Sequence, residues 1–143
     1  MSNEVKDVNN LKDPNFIQPV VAAIIFDGGS VLCAKRGDKF YHGFWEFPGG
    51  KVDPGEDNET ALIREISEEL DARIRVIKPY HDNEHEYPHG RMHLYSYICE
   101  FVEGSVPKAL EHLELQYVPV KDLGDLEWVP ADVEIAAKLA TLD

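Results

Sequence analysis

With 143 residues the chain has the length of one domain, and 43% hydrophobic against 29% charged content is ordinary for a globular fold that buries a core without staples. Its 14 basic and 27 acidic residues leave a net charge of −13, which excludes non-specific binding to nucleic-acid polymers, because the phosphate backbone would be repelled. No apolar run reaches membrane-spanning length and Met1–Asn15 lacks a hydrophobic signal region, so residues 1–16 read as a flexible tail before a single domain over 17–143, expected in the cytoplasm.

Val20 to Phe26 is a continuous apolar run and reads as a buried strand. Asp27-Gly28-Gly29 signals a tight turn, and Val31 to Ala34 returns as the second strand of a hairpin. Cys33 and Cys99 lie in strand-like runs without a Cys-x-x-Cys pair and read as reduced core thiols. Lys35 and Arg36 close the hairpin as either a surface basic pair or phosphate contacts. Gly37 to Gly43 reads as a loop, and Trp45-Glu46-Phe47 as a short strand entering Pro48-Gly49-Gly50. Phe40, Tyr41 and Phe47 are candidate stacking partners for a base, or packing residues.

Gly49, Gly50, Pro54 and Gly55 keep the next stretch from being helical. A helix follows, with Asn58 as the expected N-cap and Leu62, Ile63, Ile66 and Leu70 as the expected apolar face. Glu65, Glu68 and Glu69 fall at i, i+3 and i+4 and share a second face. Like charges within one turn repel, and a hard divalent cation offsets that; a solvated acidic face is the alternative reading.

Ile74 to His81 alternates as a strand, Asp82 to His85 reads as a loop, Pro88-His89-Gly90 as a turn and Met92 to Phe101 as a long strand. His85, His89 and His93 fit no compact zinc spacing. Gly104 to Leu110 reads as a loop and Leu115 to Val118 as a short strand. Pro130 ahead of Val133 to Leu142 marks a final helix, with Asp132 in its first turn.

Gly50, Glu56, Arg64, Glu65, Ile66, Glu68 and Glu69 together resemble the box of the Nudix hydrolases: Gly, five residues, Glu, seven residues, Arg-Glu, an aliphatic, any residue, Glu-Glu. The box then has any residue, Gly and an aliphatic; here Asp71 and Ala72 stand in the last two places. That Gly would end the helix in a left-handed conformation, which Asp also tolerates. The resemblance implies an α/β (α+β) Nudix fold, a mixed sheet sandwiched between helices. It also implies a MutT-like enzyme that hydrolyses nucleoside triphosphates, oxidised or modified dNTPs included, to monophosphate and pyrophosphate with Mg2+, for which Mn2+ substitutes.

By the same resemblance Glu65 is the general base, with Arg64 orienting it. The metal ligands implied are Gly49 through its carbonyl, Glu56, Glu65, Glu68, Glu69 and, from a late loop, Glu111, with Glu114 as the runner-up. Glu56 has a second possible role as partner of Arg64. Lys35, Arg36, Phe47 and Asp132 are the implied substrate contacts, and Asp132 stands where related proteins read the nucleobase. For Asp132 the alternative is a charge that stabilises a helix terminus. Two other functions stay open: hydrolysis of another nucleoside diphosphate derivative, such as a nucleotide sugar or dinucleoside polyphosphate, and nucleotide sensing without cleavage. The expected partner is a small nucleotide, with no polymer and no membrane, and the expected state is a monomer or homodimer.

Overall fold

The computed structural model of the chain describes residue 13 and residues 15–142; the expected tail falls largely outside them. Seven strands form a mixed sheet: β1 (Ile17–Asp27), β2 (Ser30–Lys35), β3 (Trp45–Glu46), β4 (Gly49–Lys51), β5 (Ile74–Tyr87), β6 (Gly90–Phe101) and β7 (Glu114–Pro119). The helices are α1 (Asn58–Leu70) and α2 (Val133–Leu139), with 3-10 turns at Val120–Asp125 and Pro130–Asp132. The strand order is β3-β2-β1-β6-β5, with β4 added to β1 and β7 to β2.

Strand β1 holds the sheet together. It runs parallel to β6 from Ile17 opposite Arg91 to Ile25 opposite Cys99. Its middle pairs antiparallel with β4, Val21 opposite Gly50, and its end pairs with β2, Phe26 opposite Val31. The chain therefore leaves β3 on one half of the sheet and enters β4 on the other through Phe47 and Pro48. Val21, Ala23 and Ile25 pack with Leu62, Ile66 and Leu70 of α1, whereas Ala22 and Ile24 pack with Ile135, Ala136 and Leu139 of α2. Burial on both faces is why this strand reads as an unbroken apolar run rather than an alternating one. The sandwich expected from the sequence is the observed architecture.

Three local expectations need correction. The N-cap of α1 is Asp57, whose Oδ1 accepts the Thr60 N–H at 2.7 Å, while the Asn58 amide donates to Tyr97 Oη at 3.0 Å. Ile63 is 42% exposed, and Ala61 takes its place on the buried face. Strand β5 does not stop at His81: it passes register shifts at Val76–Lys78 and Pro79–His81 and stays paired with β6 to Tyr87 opposite Gly90. As the last strand in the order among the described residues it has one edge open to them, so Pro79 and the charged residues Asp82, Glu84 and Glu86 fit a strand that sequence alone shows as loop.

Candidate active site

The site begins at α1. Asp57 fixes its start, and Asp71 ends it at φ 51°, ψ 44°, the left-handed conformation the box places at this position. The orphan carbonyls of Glu69 and Leu70 accept backbone N–H groups of Leu110 (3.2 Å) and Lys108 (2.7 Å), so the segment before β7 is laid against the helix end. The three box carboxylates divide into two sets. Ala61, Glu65 and Glu69 recur every fourth residue beside the apolar stripe, so Glu65 is only 16% exposed while Glu68 is 55% exposed.

Arg64 gathers the outer set. Its Nε and Nη2 donate to the two oxygens of Glu56 at 2.8 and 2.9 Å, and Nη1 reaches Glu68 at 3.2 Å and Glu65 at 3.3 Å. Nη2 also donates to the Lys51 carbonyl at 3.0 Å, tying the glycine-rich loop to the helix. These carboxylates hold the guanidinium proton far above its ordinary range, chiefly through the hydrogen bonds to Glu56. Of the two roles open to Glu56, this geometry supplies the partner of Arg64.

Glu65 and Glu69 form the inner set, and both carboxyls are pushed up by burial first. Glu69 rises to about 9, through burial and then the charges of Glu65, Glu46 and Glu111, while the Gly49 N–H acts the other way. Its Oε1 is sealed from solvent without a hydrogen-bond partner among the described residues. Gly49 is a steric necessity here, and Gly50 makes room for the Glu65 carboxyl. A Cβ at Gly50 would lie 2.6 Å from both Glu65 carboxyl oxygens, and one at Gly49 would collide with the Val21 carbonyl. Among the described residues no three acidic or histidine side chains converge as a ready cage, because Arg64 draws Glu56 and Glu68 aside. An enclosed, unpartnered carboxyl oxygen facing further carboxylates nonetheless suits a divalent cation of the Mg2+ kind, which takes one or two protein carboxylates and completes its shell with phosphate and water. The residues fit such an ion.

Around this face the structure sorts the other expected residues. Glu111 is exposed, and its charge bears on Glu69. Glu114 instead faces Lys35 at 3.9 Å. Arg36 is spent within the chain: Nε donates to the Phe40 carbonyl at 2.9 Å, Nη1 to Glu46 at 2.9 Å and Nη2 to Asp38 at 2.7 Å. Lys35 lies over the Trp45 ring as well as near Glu114. In the structure both cations organise the loop and strand around them. The Phe47 ring is 3% exposed and stacked on Trp128 with centroids 4.6 Å apart, the packing alternative of the two readings. Tyr41 remains at the surface, packed on Phe44 and Tyr87, and Phe40 is 65% exposed. Of the three histidines, His93 meets Asp82 at 2.8 Å, while His85 and His89 pack on Tyr87.

Asp132 lies at the other end of β3. The extended segment before it flanks that strand: Trp45 N–H donates to the Glu127 carbonyl and Val129 N–H to the Trp45 carbonyl. The 3-10 turn then carries Asp132 beneath Phe47, whose N–H donates to Oδ2 at 2.8 Å. Asp132 stands at the start of α2, and its side chain makes no cap hydrogen bond there. It is 6% exposed, and burial pushes its carboxyl up to about 8; the charge of Glu46 adds to this, while the Phe47 N–H and Arg36 oppose it. Asn83 donates to the Ala131 carbonyl at 3.1 Å, and the Tyr87 phenol feels the Asp132 charge. Sequence reading passed over Glu46, Asn83, Tyr87 and His112. No spacing could have found them, since each meets the site across strands distant in sequence. The one available hint was Glu46, a charge between two aromatic residues in a two-residue strand.

Comparison with known proteins agrees with this geometry. The NUDIX domain model matches residues 17–139. The chain is 33% identical over 117 residues to the CTP pyrophosphohydrolase of Escherichia coli (strain K12), covering 81% of this chain and 86% of that protein. It is 31% identical over 97 residues to the 8-oxo-dGTP diphosphatase of the same organism, covering 68% and 74%. Among solved structures it is similar to a MutT protein of methicillin-resistant Staphylococcus aureus, with TM-score 0.70 and 37% identity over 88% of this chain and 97% of that one. No helix among the described residues is long and apolar enough to cross a membrane. An acidic helix face closed by Arg64 and a glycine-rich loop, on a fold shared with diphosphatases and pyrophosphohydrolases, leads to one conclusion: the chain belongs to the Nudix family and is a hydrolase acting on phosphorus-containing acid anhydrides.

Proposed function

We propose that this chain hydrolyses nucleoside triphosphates, oxidised or modified deoxynucleotides included, to the monophosphate and pyrophosphate in the presence of Mg2+. One observation carries the reading: Glu69 is enclosed on the acidic helix face and Asp132 is buried against the Phe47 N–H at 2.8 Å, so a metal-type acidic face and a buried carboxyl suited to a base edge occur together. Relatives named for CTP and 8-oxo-dGTP support a nucleotide with an amino-bearing base. Glu65, Glu68, Glu69 and Glu111, with the Gly49 carbonyl, are the groups that would hold the ion. When bound, Mg2+ neutralises charge on the polyphosphate and makes water more acidic. Glu65 takes the proton of the attacking water. Arg64 restrains Glu65 while binding Glu56 and Glu68, so the base is held before substrate arrives.

The test is product analysis across nucleoside triphosphates, nucleotide sugars and dinucleoside polyphosphates. Pyrophosphate with monophosphate from triphosphates is the expected result. Faster cleavage of a sugar or dinucleoside compound, or nucleotide binding without any cleavage, would replace this reading with one of its two alternatives.

Asp132 gives a sharper prediction. An ionised carboxyl only accepts hydrogen bonds, so it favours the amino edge of cytosine or guanine over the carbonyl that thymine and uracil present. With its carboxyl near 8, Asp132 is largely protonated at neutral pH and can also donate. The kcat/KM ratio of CTP to UTP is therefore expected to rise as pH passes upward through about 8. Taking a ratio cancels any titration common to both reactions. In Asp132→Ala the ratio is expected to be lower and flat with pH, with metal-dependent turnover retained. An unchanged substrate order in that variant assigns base choice to other residues.

A further inference from the structure

The segment carrying Glu111 is anchored on both sides of that residue. On one side the Leu110 N–H donates to the Glu69 carbonyl at 3.2 Å, at the end of the catalytic helix. On the other, His112 Nε2 lies 2.8 Å from Glu46 Oε2, and the Leu113 N–H donates to the Lys35 carbonyl at 2.9 Å. Glu46 is itself fixed, since its Oε1 accepts from Arg36 Nη1 at 2.9 Å. Close approach completes the arrangement: a Cβ on Gly37 would sit 3.4 Å from the Glu111 carbonyl oxygen and from the Leu113 side chain.

His112 is a costly choice if it only fills space. Its side chain is 6% exposed, and Nδ1 is sealed from solvent with no hydrogen-bond partner among the described residues. Leaving a buried polar atom unpaired carries a desolvation penalty, which an apolar side chain of similar shape avoids. What His112 alone provides is the Nε2–H bond to a carboxylate, a charge-assisted contact stronger than a neutral one. The carboxylate accepts, so Nε2 carries the proton.

We propose that His112 is a positioning residue: through Glu46 it clips the loop before β7 to strand β3, and so holds Glu111 against the Glu65–Glu69 face. This rests on the role for Glu111 given above. Glu111 is exposed, and its neighbours on either side are the points that fix it. Without the clip, only the backbone anchors at Leu110 and Leu113 remain, and the Glu111 carboxyl between them is free to swing away from the site.

A double-mutant cycle on the full chain tests this, using His112→Phe, Glu111→Gln and the pair. Phe keeps a ring in the cavity and removes the N–H. His112→Phe is expected to lower kcat by roughly 10–10²-fold, the scale of a misplacement near 1 Å, and to raise the Mg2+ concentration needed for half-activation. KM for the nucleotide should stay the same. In the Glu111→Gln background the same change should alter kcat by less than about two-fold, because the group it positions is gone. Any loss in Tm should be equal in both backgrounds. His112→Gln, whose amide can still donate to Glu46, should recover much of the rate. An equal fold-loss from His112→Phe in both backgrounds overturns the clip while leaving Glu111 in the site. Wild-type kcat in Glu111→Gln overturns the reading of Glu111 and the clip together. Should the Phe variant not fold, His112→Ala runs the same cycle without the bulk.

Discussion

Glu69→Gln is expected to abolish nearly all turnover and, at alkaline pH, to make the metal-free protein more stable than the parent. The two effects have one origin. Glu69 is enclosed beside Glu65, Glu46 and Glu111, and its carboxyl is raised to about 9. An acid whose proton is held more tightly in the folded state contributes stability below its ordinary value of 4.5, and that contribution is lost as pH rises through about 9. Gln cannot titrate, so across that window the parent should lose Tm relative to the variant when no metal is present. Mg2+ should reverse the order, since an ion that binds only the folded parent stabilises it. Because the ligand must be deprotonated, the Mg2+ concentration for half-activation should fall as pH rises toward about 9 in the parent. The measurements are thermal unfolding with EDTA and with Mg2+ over that range, together with kcat at saturating Mg2+. Weaker Mg2+ binding and a severe loss of turnover are also expected in Glu68→Gln, but without the stability gain, because that carboxylate is 55% exposed. Near-parental activity in both variants at saturating Mg2+ would sink the metal face.

Glu65→Gln should lower kcat by roughly 10²–10⁴-fold, the span of general acid–base catalysis, with little change in nucleotide affinity. The side chain is 16% exposed, packed at Gly50 and restrained by Arg64 at 3.3 Å. Burial raises its carboxyl, which makes it a better proton acceptor than an exposed glutamate. Gln keeps the volume that the Gly50 contact requires, so the variant should fold. Single-turnover and steady-state rates, measured with Mg2+ titrated for each protein, separate the roles. If kcat returns at high Mg2+, Glu65 is a ligand and the base is another group.

The sequence alone determined much of what depends on neighbours one turn away, though not the N-cap at Asp57 or the place of Ala61 on the buried face. Spacing of i and i+4 fixed Glu65 beside Glu69, because a helix has one period. Asp71 could be assigned a left-handed backbone because few residue types tolerate it. The unbroken apolar run of β1 announced a strand covered on both faces, and β1 is covered by α1 and α2. Tertiary structure decided whatever joins distant segments. His112 meets Glu46 across 66 residues, and Asp132 meets Phe47 across 85. Arg36 looked like a free cation because the partner that consumes it lies on a neighbouring strand. Glu69 looked solvent-facing because the helix period marks a stripe but not where the loop of residues 108–113 closes over it. Local pattern reports the period of an element; burial and charge pairing are set by which elements pack together, and these decided which carboxyls of this chain hold their protons.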